Sequence, residues 1–234
     1  MGNTQLAEWP SPWLQDHFLI VLLLIGTVFN VIWLLKTQDR LRFRIPLVLL
    51  LSLLHTVFGV GCVKLFAFLE GGDAGGMSLF GGVFFMPVFY FLVTKLTKRQ
   101  AADVFDVFTV CMIFTVMCAR INCMMSGCCR GLIIPGTQLR FPTRELEIIY
   151  YIGMLLLLIP WVRKRAHAGE IYPIYMATYG AFRFVTEFVR VSDSNTLVHL
   201  AHFWAALALA VGVSICGERQ NQKGKNKKKR EIEK

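Results

Sequence analysis

Three ionisable residues share one face of an apolar stretch near the end of the chain. In YGAFRFVTEFVR (179–190), Arg183, Glu187 and Arg190 follow one another at spacings i, i+4 and i+7, which places them on one side of a helix. A charge inside a membrane costs about 2.5–3.5 kcal/mol on the insertion scale, so such residues pair with one another or mark a functional site. An internal ion pair accounts for one arginine only. Two arginines against one carboxylate leave positive charge, which favours an anionic ligand.

Two other segments add charges that we expect at the same depth. Arg120 ends the fourth apolar stretch of the chain, and Glu147 lies in the first turn of the fifth. Both positions fall near the outer leaflet when the chain is threaded through a membrane in the orientation given below. Arginine forks match phosphate oxygens, so the predicted ligand is a phospholipid headgroup.

The elements that carry these residues are strongly apolar. Of 234 residues, 55% are hydrophobic and 17% are charged, whereas a soluble domain has about 25% charged residues. The mean hydropathy is +0.54. Since backbone groups in lipid must bond internally, we predict an all-α polytopic membrane protein with about seven transmembrane helices. The apolar stretches cover residues 18–35, 45–69, 79–94, 104–119, 145–162, 171–189 and 197–216.

Lysine and arginine residues in the connections predict the orientation. They occur at 36–44, 95–99 and 163–165 and in the tail, which favours an outside N-terminus and a cytoplasmic C-terminus. We expect one transmembrane domain (1–216) and a disordered basic tail (217–234) with eight Lys or Arg and three Glu. With this orientation, the net charge of +10 favours contact of the basic tail with anionic lipid rather than binding to nucleic acid. The connection 120–144 carries four arginines although it should lie outside, which indicates a local task such as holding an anion.

Glycine and cysteine are concentrated in two of the outer segments. Six glycines lie within 70–82, where a flexible loop with tight helix packing and a ligand-binding loop are equally supported. RINCMMSGCCRG (120–131) contains Cys123, Cys128 and Cys129. A tight turn is the favoured interpretation there, a disulfide stays open, and no second ligand cluster has metal-site spacing. We therefore predict no metal and no cofactor.

Four segments resemble motifs of the bacterial prolipoprotein diacylglyceryl transferases. GGMSLFGG (75–82) is similar to Gly-Gly-Met-Ser-Phe-His-Gly-Gly. ARINCMMSGCCRG (119–131) is similar to Gly-Arg-Leu-Gly-Asn-Phe-Ile-Asn-Gly, with Arg120 and Gly127 matching. FPTRELE (141–147) is similar to His-Pro-Ser-Gln-Leu-Tyr-Glu, with Pro142 and Glu147 matching. YGAFRFVTEFVR (179–190) follows Tyr-Gly-x-Phe-Arg-x-x-x-Glu-Phe-x-Arg nearly throughout.

The resemblance implies a membrane enzyme of the bacterial cell membrane with its active site at the outer leaflet. Members of the family move the diacylglyceryl group of phosphatidylglycerol onto the thiol of the lipobox cysteine of a prolipoprotein, giving a thioether and glycerol-1-phosphate. Taken with the spacing argument, the catalytic residues predicted are Arg120, Arg190, Glu187 and Glu147. The predicted substrate-binding residues are Arg183, Gly81, Gly82, Gly127, Tyr179 and His202.

The attacking thiol must lose its proton, and the base is not fixed by the motifs. The family's histidine in the first motif is Phe80 here, and the leading histidine of the third is Phe141. The candidate bases are Glu187, Glu147 and His202. His202 is favoured over His199 because it lies a helix turn further into the bundle.

Three functions fit these observations. The first is diacylglyceryl transfer with an altered base, and the second is transfer from phosphatidylglycerol to another acceptor. The third is a relative that binds phospholipid without turnover. The outer head expected between the fourth and fifth stretches is reduced to about 25 residues, 120–144. The intact 179–190 motif favours the first function, and Phe80 favours the other two.

Overall fold

A computed structural model describes residues 12–71, 77–127, 129–191 and 197–232. All regular elements in these ranges are helical. They are α1 (Pro12–Lys36), α2 (Gln38–Leu41), α3 (Ile45–Leu69), α4 (Phe80–Thr97), α5 (Ala101–Ser126), α6 (Thr143–Arg163), α7 (Ile171–Glu187), a 3-10 turn (Leu197–His199) and α8 (Ala201–Ile232). The predicted all-α fold is confirmed.

Six helices within the described ranges are long and apolar enough to cross a membrane. They lie in α1, α3, α4, α5, α6 and α8. The sixth predicted stretch, 171–189, forms α7, which has 17 residues and carries Arg183 and Glu187 in its last two turns. The protein is therefore a multi-pass membrane protein, and the predicted orientation of its termini stays a prediction.

Local chemistry sets several helix boundaries. Pro46 lies in the first turn of α3. Backbone N–H groups in the first turn have no acceptor within the helix, so proline costs no hydrogen bond there. Gly127 ends α5 with a φ of +71°, a left-handed conformation that glycine adopts without a steric cost. At the start of α7, Asp106 of α5 accepts the N–H of Gly169 at 2.9 Å and that of Ile171 at 3.4 Å.

α5 is the central helix of the bundle and packs against α1, α4, α6 and α7. α3 closes the side formed by α1 and α4, while α7 and α8 form a tightly packed pair. Fully buried side chains of α5, such as Val107, Phe108 and Cys111, form the middle of the core. The helix that carries Arg120 is thus the one most enclosed by the others.

Two predicted boundaries differ from the structure. α5 continues to Ser126, beyond the predicted end at residue 119, and ends only where Gly127 adopts the left-handed conformation. Arg120 is therefore a buried residue within the helix. α8 continues as helix to Ile232, through most of the segment predicted to be a disordered tail, and the domain boundary at residue 217 stays a prediction.

Candidate active site

Arg183 lies at the centre of a buried group of charges between α6 and α7. Its side chain is fully buried. Nη1 donates a hydrogen bond to Oε1 of Glu147 on α6 at 3.1 Å, and Nη2 donates to Glu187 one turn further along α7. The i, i+4 spacing in the sequence thus forms an ion pair.

Glu147 is shared by three arginines. Besides Arg183, its carboxylate contacts Nε of Arg120 on α5 and lies 3.5 Å from Nη1 of Arg190. We call Arg120, Glu147, Arg183, Glu187 and Arg190 the arginine cluster. The five residues predicted to lie at one depth therefore come together in the fold.

The arginine cluster holds more positive than negative charge. Three guanidinium groups face two carboxylates, which leaves an excess of one positive charge within the five residues. Among the described residues, Nε of Arg183 and Nε of Arg190 are buried without a hydrogen-bond partner, although buried polar atoms are nearly always paired. These two donors suit an anion with several oxygens, and phosphate is the closest match.

A short hairpin between α5 and α6 holds the backbone of Arg190. Gly131 forms an antiparallel bridge with Arg190, and the N–H of Leu132 donates to the carbonyl of Val189 at 2.8 Å. A Cβ atom at Gly131 would lie 2.2 Å from the carbonyl oxygen of Phe141. Glycine is thus required where the arms of the hairpin meet, and the hairpin positions Arg190 just beyond the end of α7.

A partly open apolar cavity lies between α1, α3, α4 and α5. Ala119, which precedes Arg120, and Gly82 line it. His55 and Thr56 of α3 line it as well, and its other walls are mainly aliphatic. A cavity of this kind suits hydrocarbon chains, and its wall at Ala119 adjoins the cationic end of α5.

The comparison with known families decides the ancestry of this arrangement. The sequence model of the prolipoprotein diacylglyceryl transferases matches residues 44–217, which contain the whole arginine cluster. The chain belongs to the prolipoprotein diacylglyceryl transferase family.

Curated relatives in the family are distant. A phosphatidylglycerol–prolipoprotein diacylglyceryl transferase of Dehalococcoides mccartyi is 22% identical over 156 residues, covering 60% of this chain and 60% of the relative. The enzyme of the same name from Mannheimia succiniciproducens is 28% identical over 52% of this chain and 49% of the relative. The match thus spans about 60% or less of the length of these relatives. No solved structure matches the chain.

Phe80, predicted from the motif resemblance to stand in place of a histidine, packs against the arginine cluster. Its ring is buried, and the guanidinium carbon of Arg183 lies 5.1 Å from the ring centroid. Trp204 of α8 approaches the same guanidinium at 5.6 Å. Both are cation–π contacts. Phe80 therefore places an apolar ring face, without an ionisable group, beside Arg183.

The three predicted glycines have different surroundings. A Cβ at Gly81 would lie 2.1 Å from the carbonyl oxygen of Cys62, whereas one at Gly82 would meet nothing closer than 3.8 Å. Gly81 therefore permits α3 and α4 to pack backbone to backbone, and Gly82 lines the cavity. Gly127 is the left-handed residue that ends α5. Residues 72–76 of the glycine-rich segment lie outside the described ranges.

The predicted residues Tyr179 and His202 are placed differently. Tyr179 is fully buried, and its hydroxyl has no hydrogen-bond partner among the described residues. It lies near Arg120, as does the hydroxyl of Tyr151, so it can donate towards a ligand held by the arginines. His202 is exposed, and the structure does not bring it into the cluster.

Sequence reasoning missed the contribution of His199 and Glu70. His199 Nδ1 lies 3.5 Å from Oε1 of Glu187, and Nε2 lies 3.4 Å from Oε1 of Glu70 at the end of α3. His199 ends a 3-10 turn, so its side chain does not follow the helical periodicity on which the choice of His202 rested. A pattern along the chain does not reveal a contact between two segments so far apart.

The cysteines of the connection give no metal site in the described ranges. No group of three or more His, Cys, Asp or Glu side chains is arranged there to hold a metal ion. Cys123 and Cys129 are half-buried near the hairpin, and Cys128 lies outside the described residues.

Proposed function

We propose that the protein transfers the diacylglyceryl group of phosphatidylglycerol to the thiol of the lipobox cysteine of a prolipoprotein. The observation that carries this proposal is the arginine cluster, in which three arginines share Glu147 and retain positive charge. Membership of the transferase family and the activity named for its relatives support the same reaction.

The arginines stabilise the departing phosphate. As the thiol sulfur attacks the glyceryl carbon that bears the phosphate, a C–S bond forms and the C–O bond breaks. Negative charge grows on the phosphate oxygens, and fixed cations at that place lower the barrier. We assign Arg120 and Arg190 to the phosphate, and Arg183 to the same group through its unpartnered Nε. Glu147 fixes the geometry of all three.

The remaining predicted residues bind the rest of the lipid. The acyl chains occupy the cavity beside Gly82 and Ala119, and the hydroxyl of Tyr179 donates to a headgroup oxygen. Gly81 and Gly127 act through the backbone positions they allow. We place the site at the outer leaflet of a bacterial cell membrane, with the C-terminus in the cytoplasm, because of the distribution of Lys and Arg.

One assay tests the proposal. Purified protein in micelles with phosphatidylglycerol is mixed with a lipobox-cysteine peptide, and the peptide mass is followed. We expect a diacylglyceryl gain in mass that Arg190→Ala reduces at least 100-fold, about 2.7 kcal/mol. Arg163→Ala is the matched control, since Arg163 is an exposed arginine in the last turn of α6, at the opposite end of that helix from Glu147. The proposal fails if wild-type protein leaves the peptide mass unchanged.

A second function, binding of phosphatidylglycerol without turnover or with another acceptor, is favoured by Phe80. The ring beside Arg183 carries no group that accepts a proton. Native mass spectra that retain phosphatidylglycerol on a protein without transfer activity would support this second function.

A further inference from the structure

The arginine cluster stabilises the negative charge of the leaving phosphate, but its two carboxylates are poor acceptors for the thiol proton. Protonation of Glu147 would leave three guanidinium groups without their shared counter-charge. Protonation of Glu187 would remove the partner of the fully buried Arg183. Uncompensated buried charges are costly, so both carboxylates are better suited to hold arginines than to accept a proton.

His199 lies beside the arginine cluster. In the contacts described, its side chain forms no ion pair with an arginine. It ends the 3-10 turn Leu197–His199 that leads into α8. The turn is fixed by Trp204, whose Nε1 donates to the carbonyl of Val198 at 2.7 Å. The side chain of His199 is 12% exposed, compared with 0% for that of Arg183. A substrate can therefore reach the imidazole while the backbone holds it in place.

The imidazole has a carboxylate near each ring nitrogen. Glu187 from α7 lies 3.5 Å from Nδ1, and Glu70 from the end of α3 lies 3.4 Å from Nε2. An imidazolium formed by proton uptake would thus have a counter-charge on two sides. A carboxylate that orients a histidine in this way is a recurring feature of histidine bases.

Phe80 links the histidine to the cations. The ring of His199 meets the ring of Phe80 edge-on with centroids 5.6 Å apart, and Arg183 lies on Phe80 at 5.1 Å. The charged groups facing His199 are therefore Glu70, Glu187 and, across one aromatic ring, Arg183. A proton acceptor and the phosphate-holding cations lie within one small region.

We propose that His199 is the general base of this site. This inference rests on the proposed function. The imidazole takes the proton of the acceptor thiol while the sulfur forms the C–S bond, and the electron pair of the broken C–O bond leaves on the phosphate. The imidazolium then returns the proton to the released glycerol phosphate or to water. Nδ1 is buried against Glu187, so we assign proton uptake to Nε2, and the carboxylate of Glu187 orients the ring.

The test compares His199→Gln with wild-type protein in the peptide assay. Glutamine keeps hydrogen-bonding capacity but cannot act as a base at neutral pH. We expect kcat/KM to fall by about 10²–10⁴-fold and the acidic limb of the pH–rate profile to disappear. Phosphatidylglycerol retention in native mass spectra should stay as in wild type, which separates loss of the base from loss of the fold.

His167→Gln is the matched control, since the imidazole of His167 also lies beside a glutamate, Glu170, but near the start of α7. It should leave the rate and the pH profile unchanged. A rescue variant sharpens the test, because an imidazole at position 80 would reach the same space. We expect Phe80→His in the His199→Gln background to restore the rate at least tenfold.

Two results would overturn the role of His199 while leaving the proposed function intact. One is a wild-type rate and pH profile in His199→Gln together with an inactive Arg190→Ala. The other is loss of the acidic limb in His202→Gln but not in His199→Gln. A wild-type protein without transfer activity would instead overturn the proposed function, and this inference with it.

Discussion

Two buried groups of charges stand at different ends of α5, and they are built differently. Arg40 of α2 donates to Asp103 at 2.7 Å, to Asp106 at 3.0 Å and to the carbonyl of Val162 at 3.1 Å. We call Arg40, Asp103 and Asp106 the Arg40 cluster. Asp106 lies 14 residues before Arg120, about 21 Å along the helix axis.

The Arg40 cluster is saturated and the arginine cluster is not. Asp106 also accepts backbone N–H groups at the start of α7, and no buried side-chain nitrogen or oxygen of the Arg40 cluster lacks a partner within the described ranges. In the arginine cluster, by contrast, several atoms lack partners and positive charge is in excess. A complete network stabilises a fold, whereas an incomplete one with excess charge is prepared for a ligand.

The largest effect that separates the two clusters is expected for Arg40→Ala. This change leaves Asp103 and Asp106 without their cation, so the free energy of unfolding should fall by about 3–5 kcal/mol. Transfer activity per folded molecule should be retained. Thermal unfolding in detergent, with activity normalised to folded protein, measures both.

Arg99→Ala is the control for that change, since Arg99 is exposed and donates only to the carbonyl of Arg42 among the contacts described. A stable Arg40→Ala protein that has lost activity would contradict the division between a structural and a ligand-binding cluster.

Phosphatidylglycerol should stabilise the protein through the arginine cluster. A ligand at 100 times its Kd raises the free energy of unfolding by about 2.7 kcal/mol. We expect this rise with phosphatidylglycerol but not with the zwitterionic phosphatidylcholine, in thermal unfolding experiments in mixed micelles. Arg190→Ala should abolish the difference between the lipids, and Arg163→Ala should preserve it. Equal stabilisation by both lipids would show that the excess charge does not select the ligand.

The adjacent glycines Gly81 and Gly82 of α4 differ in role, since Gly81 lies in the contact with α3 and Gly82 lines the cavity. Gly81→Ala forces a Cβ against the backbone of α3 at Cys62, so stability should fall by about 1–3 kcal/mol. Gly82→Ala places its Cβ at an ordinary van der Waals distance from Val116 and should change stability little, while narrowing the cavity. Unfolding temperatures of the two variants provide the measurement. Equal losses would mean that α3 and α4 can shift apart, contrary to the close approach at Gly81.

The smallest effect concerns the partly exposed ion pair between Glu170 and Arg219 near the start of α7. A hydrogen bond from Arg219 lowers the pKa of Glu170 below its usual value of 4.5. The stabilisation is therefore present above about pH 4.5 and is lost as the pH falls through the lowered pKa. Glu170→Gln should lose this acid-dependent part of the stability, and thermal unfolding at a series of acidic pH values measures it. The change should be small, since exposed pairs contribute little. An unchanged acid dependence in Glu170→Gln would assign it to other carboxylates.

Much of the fold and of the cluster could be predicted because both depend on strong local signals. Hydropathy alone located the helices, and the spacing of Arg183, Glu187 and Arg190 placed them on one face. Depth in the membrane then brought in Arg120 and Glu147. These inferences need only helical geometry and the cost of charge in lipid.

The parts that were missed depend on tertiary packing. The extension of α5 past Arg120 depends on capping by Gly127 and on contacts with α6, not on apolar character. The approach of His199 to Glu70 joins two segments that no periodicity relates. The dual nature of the glycine pair, with Gly81 in packing and Gly82 at the cavity, appears only when α3 is in place.

The hairpin that holds Arg190 can accept inserted residues at its tip. Its arms pair at Gly131 with Arg190 and at Ile133 with Arg140, while its tip near Gly136 is exposed and a Cβ there would meet no other atom. Chain inserted at the tip would leave the paired base unaltered. A large extramembrane domain can therefore be gained or lost at this one point during evolution, and a reporter can be grafted there, without moving the arginine anchored below it.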